Sequence, residues 1–140
     1  MLKIYRTIYR TIAILTLSII VCSCSETDDG MSIPTITISL PHNNDTVRLY
    51  NYIHILLKAE DKRTLTNMKI ELINCESGKT LYSDPNTEYL DVKSYPCDKT
   101  ITSSDLYSRI DKLTKLKLYV MAENELNSVE ETYVYFYVEP

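Results

Sequence analysis

Apolar and polar side chains alternate along several short segments of this 140-residue chain, and this period of two constrains the fold more than any other feature. The clearest segment has apolar residues at every second position: Leu116, Leu118, Val120 and Ala122. Successive side chains of a β-strand point to opposite faces of a sheet, so the pattern predicts a strand with one buried face. A helix would instead repeat its apolar positions every three or four residues.

Similar segments recur along the chain. The predicted strands are residues 35–40, 46–50, 52–61, 68–73, 80–82, 89–92, 116–123 and 131–138. Turn-forming residues at 42–45, 76–79 and 124–128 separate some of them, and the second of these turns predicts a hairpin. Residues 83–98 contain two prolines and are expected to be irregular apart from the short strand at 89–92.

One segment has helical spacing instead. Leu106, Ile110 and Leu113 follow each other at i, i+4 and i+7, and Ser103 or Ser104 can cap the first turn. About seven strands without a strand-helix alternation predict an all-β fold, an immunoglobulin-like (fibronectin- or cadherin-like) antiparallel β-sandwich with one short helix. The chain contains no tryptophan, which excludes the core tryptophan of antibody domains.

The N-terminus has the order of features of an export signal. Lys3, Arg6 and Arg10 precede an apolar run at residues 11–21, which is too short for a helix that crosses a bilayer, since that needs roughly 20 apolar residues. Cys24 follows this run. Val21 lies three residues before Cys24, and the small residues Cys22 and Ser23 lie between them. This order resembles the lipobox of bacterial lipoproteins. The resemblance implies lipidation of Cys24, removal of residues 1–23 and anchoring to the membrane through lipid. An ordinary secretory cleavage region and an uncleaved anchor helix are the alternatives.

An acidic segment follows Cys24, with Glu26, Asp28 and Asp29 close together. It resembles the export signal that Bacteroidetes lipoproteins use to reach the outer face of the outer membrane, which implies a surface-exposed outer-membrane location. A short solvated tether is the alternative. The predicted organisation is therefore a signal peptide at 1–23, an acidic tether at 24–33 and one domain at 34–140.

The charge balance excludes one class of partner. The full chain has 15 basic and 19 acidic side chains, and three of the basic ones belong to the predicted signal peptide. The remainder then carries 12 basic against 19 acidic side chains, a formal charge of −7. Nucleic acid is excluded as a partner, because phosphate binding needs a basic surface.

Residues 34–140 resemble bacterial immunoglobulin-like lipoprotein domains of uncharacterised function. The similar stretches are PTITISLPHNNDTV, IHILLKAED, MKIELIN, LKLYVMAENELNS and YVYFYV. In that family A-x-D and A-x-N act as turn signals, represented here by Ala59-Glu60-Asp61 and Ala122-Glu123-Asn124. The resemblance implies a fold and a surface, and no reaction.

Two features of the predicted domain are a pair of cysteines and a row of tyrosines. Cys75 and Cys97 form an even pair in an exported domain, which predicts a disulfide, with two free thiols as the alternative. Tyrosine is enriched, with 12 residues against one phenylalanine; Tyr133, Tyr135 and Tyr137 share one strand face, and Tyr119 is expected beside them. This row would be either a ligand-binding platform for sugars or proteins, or cross-strand aromatic packing.

Other chemistry lacks support in the sequence. Six acidic or amide residues lie in predicted loops: Asp45, Glu60, Asp61, Glu123, Asn124 and Glu125. Some of them could gather at one end of the sandwich and bind calcium. They match no calcium-loop motif, so we interpret them as parts of solvated turns. His42 and His54 belong to no zinc or catalytic signature. We predict no metal, no cofactor and no catalysis.

The predicted function is a lipid-anchored cell-envelope binding or adhesion module that captures glycan or protein ligands at the outer surface. A structural component that self-assembles or joins a larger envelope complex is the alternative. A small hydrolase is a third and disfavoured possibility.

Overall fold

The computed structural model describes residues 30, 32–48, 52–84, 88–102, 106 and 110–140. Their seven strands are β1 (Thr35–Leu40), β2 (Thr46–Arg48), β3 (Ile53–Asn74), β4 (Thr80–Ser83), β5 (Glu88–Ile101), β6 (Thr114–Asn124) and β7 (Val129–Glu139). The predicted signal peptide, Cys24 and most of the predicted tether lie outside the described residues.

Strand β3 organises the domain because it belongs to both sheets. Its residues 53–60 pair with β1 and β5, and its residues 65–74 pair with β6 and in part with β4, while Leu65 and Asn67 also pair with β5. The register is interrupted between Glu60 and Leu65, where the strand passes from one sheet to the other. The sequence predicted two separate strands here. They are continuous because the residues between them include no proline or glycine to break the extended backbone.

Pairing joins all seven strands through β3 in the order β1-β3-β6-β7-β2, with β4 and β5 also paired to β3. Because β3 changes partners along its length, we divide the strands into two layers, β1-β3-β5 and β4-β3-β6-β7-β2. All pairs are antiparallel except β2 with β7, which is parallel. This connectivity is that of an immunoglobulin-like β-sandwich, so the predicted fold class is confirmed at that level.

The core lies between the two layers and is built from alternate residues of the long strands. The predicted inward faces are confirmed, since each of these side chains is at most 2% exposed: Ile53, Ile55, Leu57, Ala59, Leu116, Leu118, Val120 and Ala122. Phe136 and Val138 of β7 are fully buried with them. Each large side chain buried in this way stabilises the fold by about 1.5–3 kcal/mol.

Strand β5 corrects the prediction that residues 83–98 are mostly irregular. It extends from Glu88 to Ile101 and pairs only with β3 in the described part of the chain, so it is an edge strand. An edge strand accepts Pro96, because the missing N–H can face away from the neighbouring strand.

The predicted short helix is not among the elements of the described residues, and most of its segment, including Ser103 and Ser104, lies outside them. Leu106 and Ile110 are buried as expected, but Leu113 is 55% exposed because the chain there enters β6. In the described part of the chain, no helix has the length and apolar content to cross a bilayer.

The predicted disulfide is wrong for this structure, which has free thiols at Cys75 and Cys97. Cys97 is buried on β5 opposite Leu57, whereas Cys75 is exposed just beyond Asn74 at the end of β3. A disulfide requires Cα atoms within about 7 Å of each other, and most of the length of β3 separates these two positions.

Candidate functional site

The outer surface of β6 and β7 brings the four predicted tyrosines together. Strand pairing places Tyr119 opposite Tyr133, Lys117 opposite Tyr135 and Lys115 opposite Tyr137. Their neighbours along each strand point into the core, so these side chains point outward. We call this surface the tyrosine face and define it by these residues: Lys115, Lys117, Tyr119, Tyr133, Tyr135 and Tyr137.

Lysine ammonium groups lie over the tyrosine rings. Lys115 Nζ is 4.6 Å from the centre of the Tyr135 ring, and Lys117 Nζ is 5.6 and 5.9 Å from the Tyr119 and Tyr133 rings. Tyr133 and Tyr135 also pack edge to face, with ring centres 5.2 Å apart. The packing interpretation of the tyrosine row therefore describes most of its contacts, while Tyr133 remains 56% exposed.

The end of the tyrosine face nearest the β6–β7 hairpin, at Tyr119 and Tyr133, lies beside carboxylates. Burial, then a hydrogen bond to the Glu131 side chain, then the charges of Glu131 and Glu71 raise the pKa of Tyr119 to about 12. Lys69 forms an ion pair of 3.1 Å with Glu71 next to this tyrosine. These groups are satisfied within the protein.

The part of the face farthest from the β6–β7 hairpin differs. Among the described residues, Lys115 and Lys117 form no ion pair. Their ammonium groups lie over tyrosine rings instead. Two carboxylates nearby are already paired, Glu76 with Lys112 at 2.9 Å and Glu139 with Arg48 at 3.7 Å. Two cationic groups therefore remain available on this surface.

A depression of about 470 Å³ lies beside these lysines, at the turn that joins β3 to β4. Its lining residues are Ile73, Asn74, Cys75, Gly78, Lys115, Lys117 and Tyr135. The Asn74 Oδ1 atom accepts hydrogen bonds from the backbone N–H groups of Glu76 and Ser77, at 2.8 and 3.0 Å. Gly78 has φ of +68°, a conformation that favours glycine, so the turn has a defined shape.

The segment before β2 fixes the backbone that carries Tyr135. The Tyr135 N–H donates to Asn43 Oδ1 at 3.1 Å, and the Asn44 N–H donates to the Tyr135 carbonyl at 2.6 Å. The predicted turn at residues 42–45 is confirmed, since Asp45 Oδ2 accepts a hydrogen bond of 2.8 Å from the His42 N–H. Tyr135 is thus held between β6 on one side and this turn on the other.

The opposite end of the sandwich contains a polar network around Asn124, which is fully buried. Its Nδ2 donates to Asp61 Oδ2 at 2.9 Å and to the Ser32 carbonyl at 2.8 Å. Its Oδ1 accepts hydrogen bonds from the backbone N–H groups of Leu126 and Ser128, both at 3.0 Å. The two predicted turn motifs, A-x-D and A-x-N, therefore meet through their last residues.

Asp61 accepts hydrogen bonds within this network. Burial raises its pKa, but hydrogen bonds from the Ser32 side chain, the Arg63 N–H and Asn124 outweigh this and lower it below its ordinary value. Asp45 lies beside Tyr137 at the other end of β7, so it does not join Asp61 and Asn124 at the hairpin end. Within the described ranges, no three His, Cys, Asp or Glu residues are grouped so that they could hold a metal ion.

One polar pair was missed by the sequence analysis. The side chain of Asp84 is fully buried and forms an ion pair with Lys99 of β5. Lys99 Nζ also donates to the Tyr82 hydroxyl at 3.5 Å. Burial lowers the pKa of Lys99, but Asp84 outweighs it and raises the pKa above its ordinary value. The pair joins the residue after β4 in one sheet to β5 in the other. The sequence around Asp84 and Lys99 has no clear alternation, so this contact could not be predicted from it.

Comparisons with known proteins add little. No protein-family model and no curated protein sequence matches the chain. The chain is similar to a solved structure of Clostridium thermocellum CbhA fibronectin(III)-like modules, with a TM-score of 0.45 and 14% identity. The match covers 78% of this chain and 48% of the CbhA chain, so this chain spans about half the length of the CbhA chain. The fold assignment rests on the strand pairing and does not depend on this similarity.

Proposed function

We propose that this protein is a lipid-anchored cell-envelope binding module with an immunoglobulin-like fold, which captures glycan or protein ligands on its tyrosine face. The observation that supports the proposal is the composition of the tyrosine face. Lys115 and Lys117 lie there among four tyrosines and form no ion pair with the described residues. Tyrosine and lysine side chains together offer apolar area, hydroxyl groups and charge to a ligand.

The path of the chain supports display of this surface. Asn124 holds the Ser32 carbonyl at the end of the sandwich that contains the β6–β7 hairpin. Seven residues separate Cys24 from Ser32, and fully extended they span at most about 25 Å. Within the domain, the depression beside Lys115 lies at the opposite end from Ser32 and Asn124.

Binding is tested with the full-length protein and with Tyr135→Ala on a glycan array. We expect Tyr135→Ala to weaken retention of the bound glycans while circular dichroism shows an intact fold. Tyr52→Ala is the matched control, since Tyr52 is 55% exposed and lies off the tyrosine face. Unchanged binding by Tyr135→Ala would reject the tyrosine face as the binding surface. A concentration-dependent mass without glycan binding would favour the structural component instead.

Anchoring is tested by cell fractionation of Cys24→Ala, with Cys22→Ala as the control. Cys24 supplies the sulfur that would be lipidated, whereas Cys22 would leave with the signal peptide. We expect Cys24→Ala to leave the membrane fraction or to remain unprocessed, and Cys22→Ala to stay anchored. Normal membrane retention of Cys24→Ala would contradict the lipoprotein assignment. Digestion of intact cells with an external protease tests surface exposure.

A further inference from the structure

The depression beside Lys115 and Lys117 has the features of a site for negatively charged sugars. We propose that it binds an anionic glycan, a polysaccharide whose sugars carry carboxylates. This inference rests on the proposed binding function and names the ligand class of the same surface. Three features of the depression favour this ligand class: its charge, its shape and the contacts of its aromatic rings.

The charge of the site is opposite to that of the chain. Residues 24–140 carry a formal charge of −7, so carboxylates are abundant enough to neutralise exposed lysines. Lys58, Lys69 and Lys112 are neutralised in this way by Glu60, Glu71 and Glu76. Lys115 and Lys117 instead lie over tyrosine rings, and the nearby Glu76 and Glu139 are held by other cations. No carboxylate of the described residues pairs with these two lysines, and a ligand carboxylate would supply that counter-charge.

The spacing of the two lysines suits a polymer. They occupy alternate positions on β6 and share its outer face, so their Cα atoms lie about 7 Å apart. A chain with a carboxylate on successive sugars can place charges on both ammonium groups at once. The depression of about 470 Å³ is within the range of sites that hold a small ligand segment, and Asn74 adds an amide to its wall.

The aromatic rings favour a sugar over a protein partner. Protein interfaces concentrate their binding energy in aromatic side chains that enter apolar pockets. Here Lys115 lies 4.6 Å from the Tyr135 ring centre and 6.0 Å from that of Tyr137, so the rings near the depression already carry ammonium groups. The surface presents tyrosine hydroxyls and lysine charges, which match the hydroxyls and carboxylates of an acidic polysaccharide.

The test measures binding of the full-length protein in detergent to three immobilised polymers: polygalacturonate, its methyl-esterified form and poly-L-glutamate. We expect binding to polygalacturonate that weakens as salt is raised, and about tenfold weaker binding to the ester, which has the same sugars without the charges. Poly-L-glutamate, which has carboxylates without sugars, should also bind about tenfold more weakly.

Two pairs of substitutions locate the site. Lys115→Gln with Lys117→Gln should weaken binding to polygalacturonate by about tenfold or more, because two charge-assisted contacts are lost. Lys58→Gln with Lys93→Gln makes the same change in net charge on the other sheet and should alter binding by less than about twofold. Equal effects of the two pairs would show a non-specific charge effect and overturn the proposal.

The remaining outcomes separate the ligand class from the binding function. No retention on polygalacturonate, or equal retention on the ester, overturns the anionic class. If the ester binds equally and Tyr135→Ala abolishes that binding, the tyrosine face still binds glycans and the proposed function stands. Equal binding to poly-L-glutamate overturns the choice of a glycan in favour of an acidic peptide. The glycan array with Tyr135→Ala judges the proposed function independently of all three polymers.

Discussion

Asn74 and Asn124 perform the same local task at opposite ends of the sandwich. Each is the last residue of a strand, β3 or β6, and the Oδ1 atom of each accepts two backbone N–H groups from the turn that follows. The surroundings differ. Asn124 is fully buried and its amide nitrogen binds Asp61 and Ser32, whereas Asn74 lines an open depression.

Under the proposed function, this difference separates a structural role at one end of the domain from a binding role at the other. At the hairpin end, Asn124 joins the β6–β7 hairpin, the bend of β3 and the chain that leads into β1. At the other end the turn after Asn74 lies at the surface, where the Cys75 N–H donates to the Lys115 carbonyl at 3.0 Å and Glu76 pairs with Lys112. The side chains of Lys115 and Lys117 beside it form no ion pair in the described part of the chain. Substitutions at the hairpin end should therefore affect stability, and substitutions at the turn end should affect binding.

The largest expected effect on stability is that of Asn124→Ala. It removes the acceptor for two backbone N–H groups and the donor to Asp61 and Ser32, in a position without access to water. Unsatisfied buried groups cost about 1–3 kcal/mol each, and we expect the free energy of unfolding to fall by about 2–4 kcal/mol. Urea denaturation followed by circular dichroism measures it.

Asn74→Ala is the matched control, because it removes the same two turn hydrogen bonds where water can replace them. We expect a loss of about 0.5–1 kcal/mol. Equal losses for the two substitutions would show that burial and the contact with Asp61 contribute nothing, and the contrast between the two ends would fail.

The sequence predicted most of the hairpin end but not its connection. Alternation predicted the inward residues of β3 and β6 because period two is a direct consequence of strand geometry. The A-x-D and A-x-N motifs were interpreted as separate turns. That Asp61 contacts Asn124 depends on β3 bending between two sheets, which no local pattern encodes.

At the turn end, prediction succeeded for tyrosines and failed for cysteines. Tyr135 was placed on an outer face by the same alternation, and that pattern also places Lys115 and Lys117 there, although neither was predicted as a site residue. The Cys75–Cys97 disulfide was inferred from an even cysteine count and the compartment, which carry no information on distance. The tertiary fold separates the two residues along β3, so only a three-dimensional structure could correct that inference.

The next effect is a pH dependence of stability that comes from Asp61. Its pKa is lower in the folded protein than its ordinary value of 3.8, so its contribution to stability is fully present above that pH. As the pH falls through the lowered pKa, the folded carboxylate takes up a proton and the contribution is lost. We therefore expect the free energy of unfolding to decrease below about pH 4, and Asp61→Asn to show a shallower decrease.

Urea unfolding between pH 2.5 and 6 measures this slope for both proteins. Asp61→Asn is a suitable comparison because an amide keeps a similar size and cannot titrate. Its one oxygen can accept from the Arg63 N–H, but the hydrogen bond from Asn124 is lost at every pH, so the slope of the free energy of unfolding with pH is compared and not its absolute value. An unchanged slope in Asp61→Asn would mean that other carboxylates govern acid unfolding and that the network at the hairpin end is not held by the charge of Asp61.

The smallest expected effect on stability is that of Lys115→Gln with Lys117→Gln. Each lysine contributes through contacts with tyrosine rings on an accessible surface, and such contacts stabilise by about 0.5–1 kcal/mol at exposed sites. The glutamine side chains still cover part of the rings, so we expect the double substitution to lower the free energy of unfolding by less than about 1 kcal/mol in urea denaturation. A loss as large as that of Asn124→Ala would make the two lysines structural elements of the sheet. A small loss combined with weakened binding to polygalacturonate would instead mean that the lysines serve the ligand, because their removal would then cost affinity and leave the fold intact.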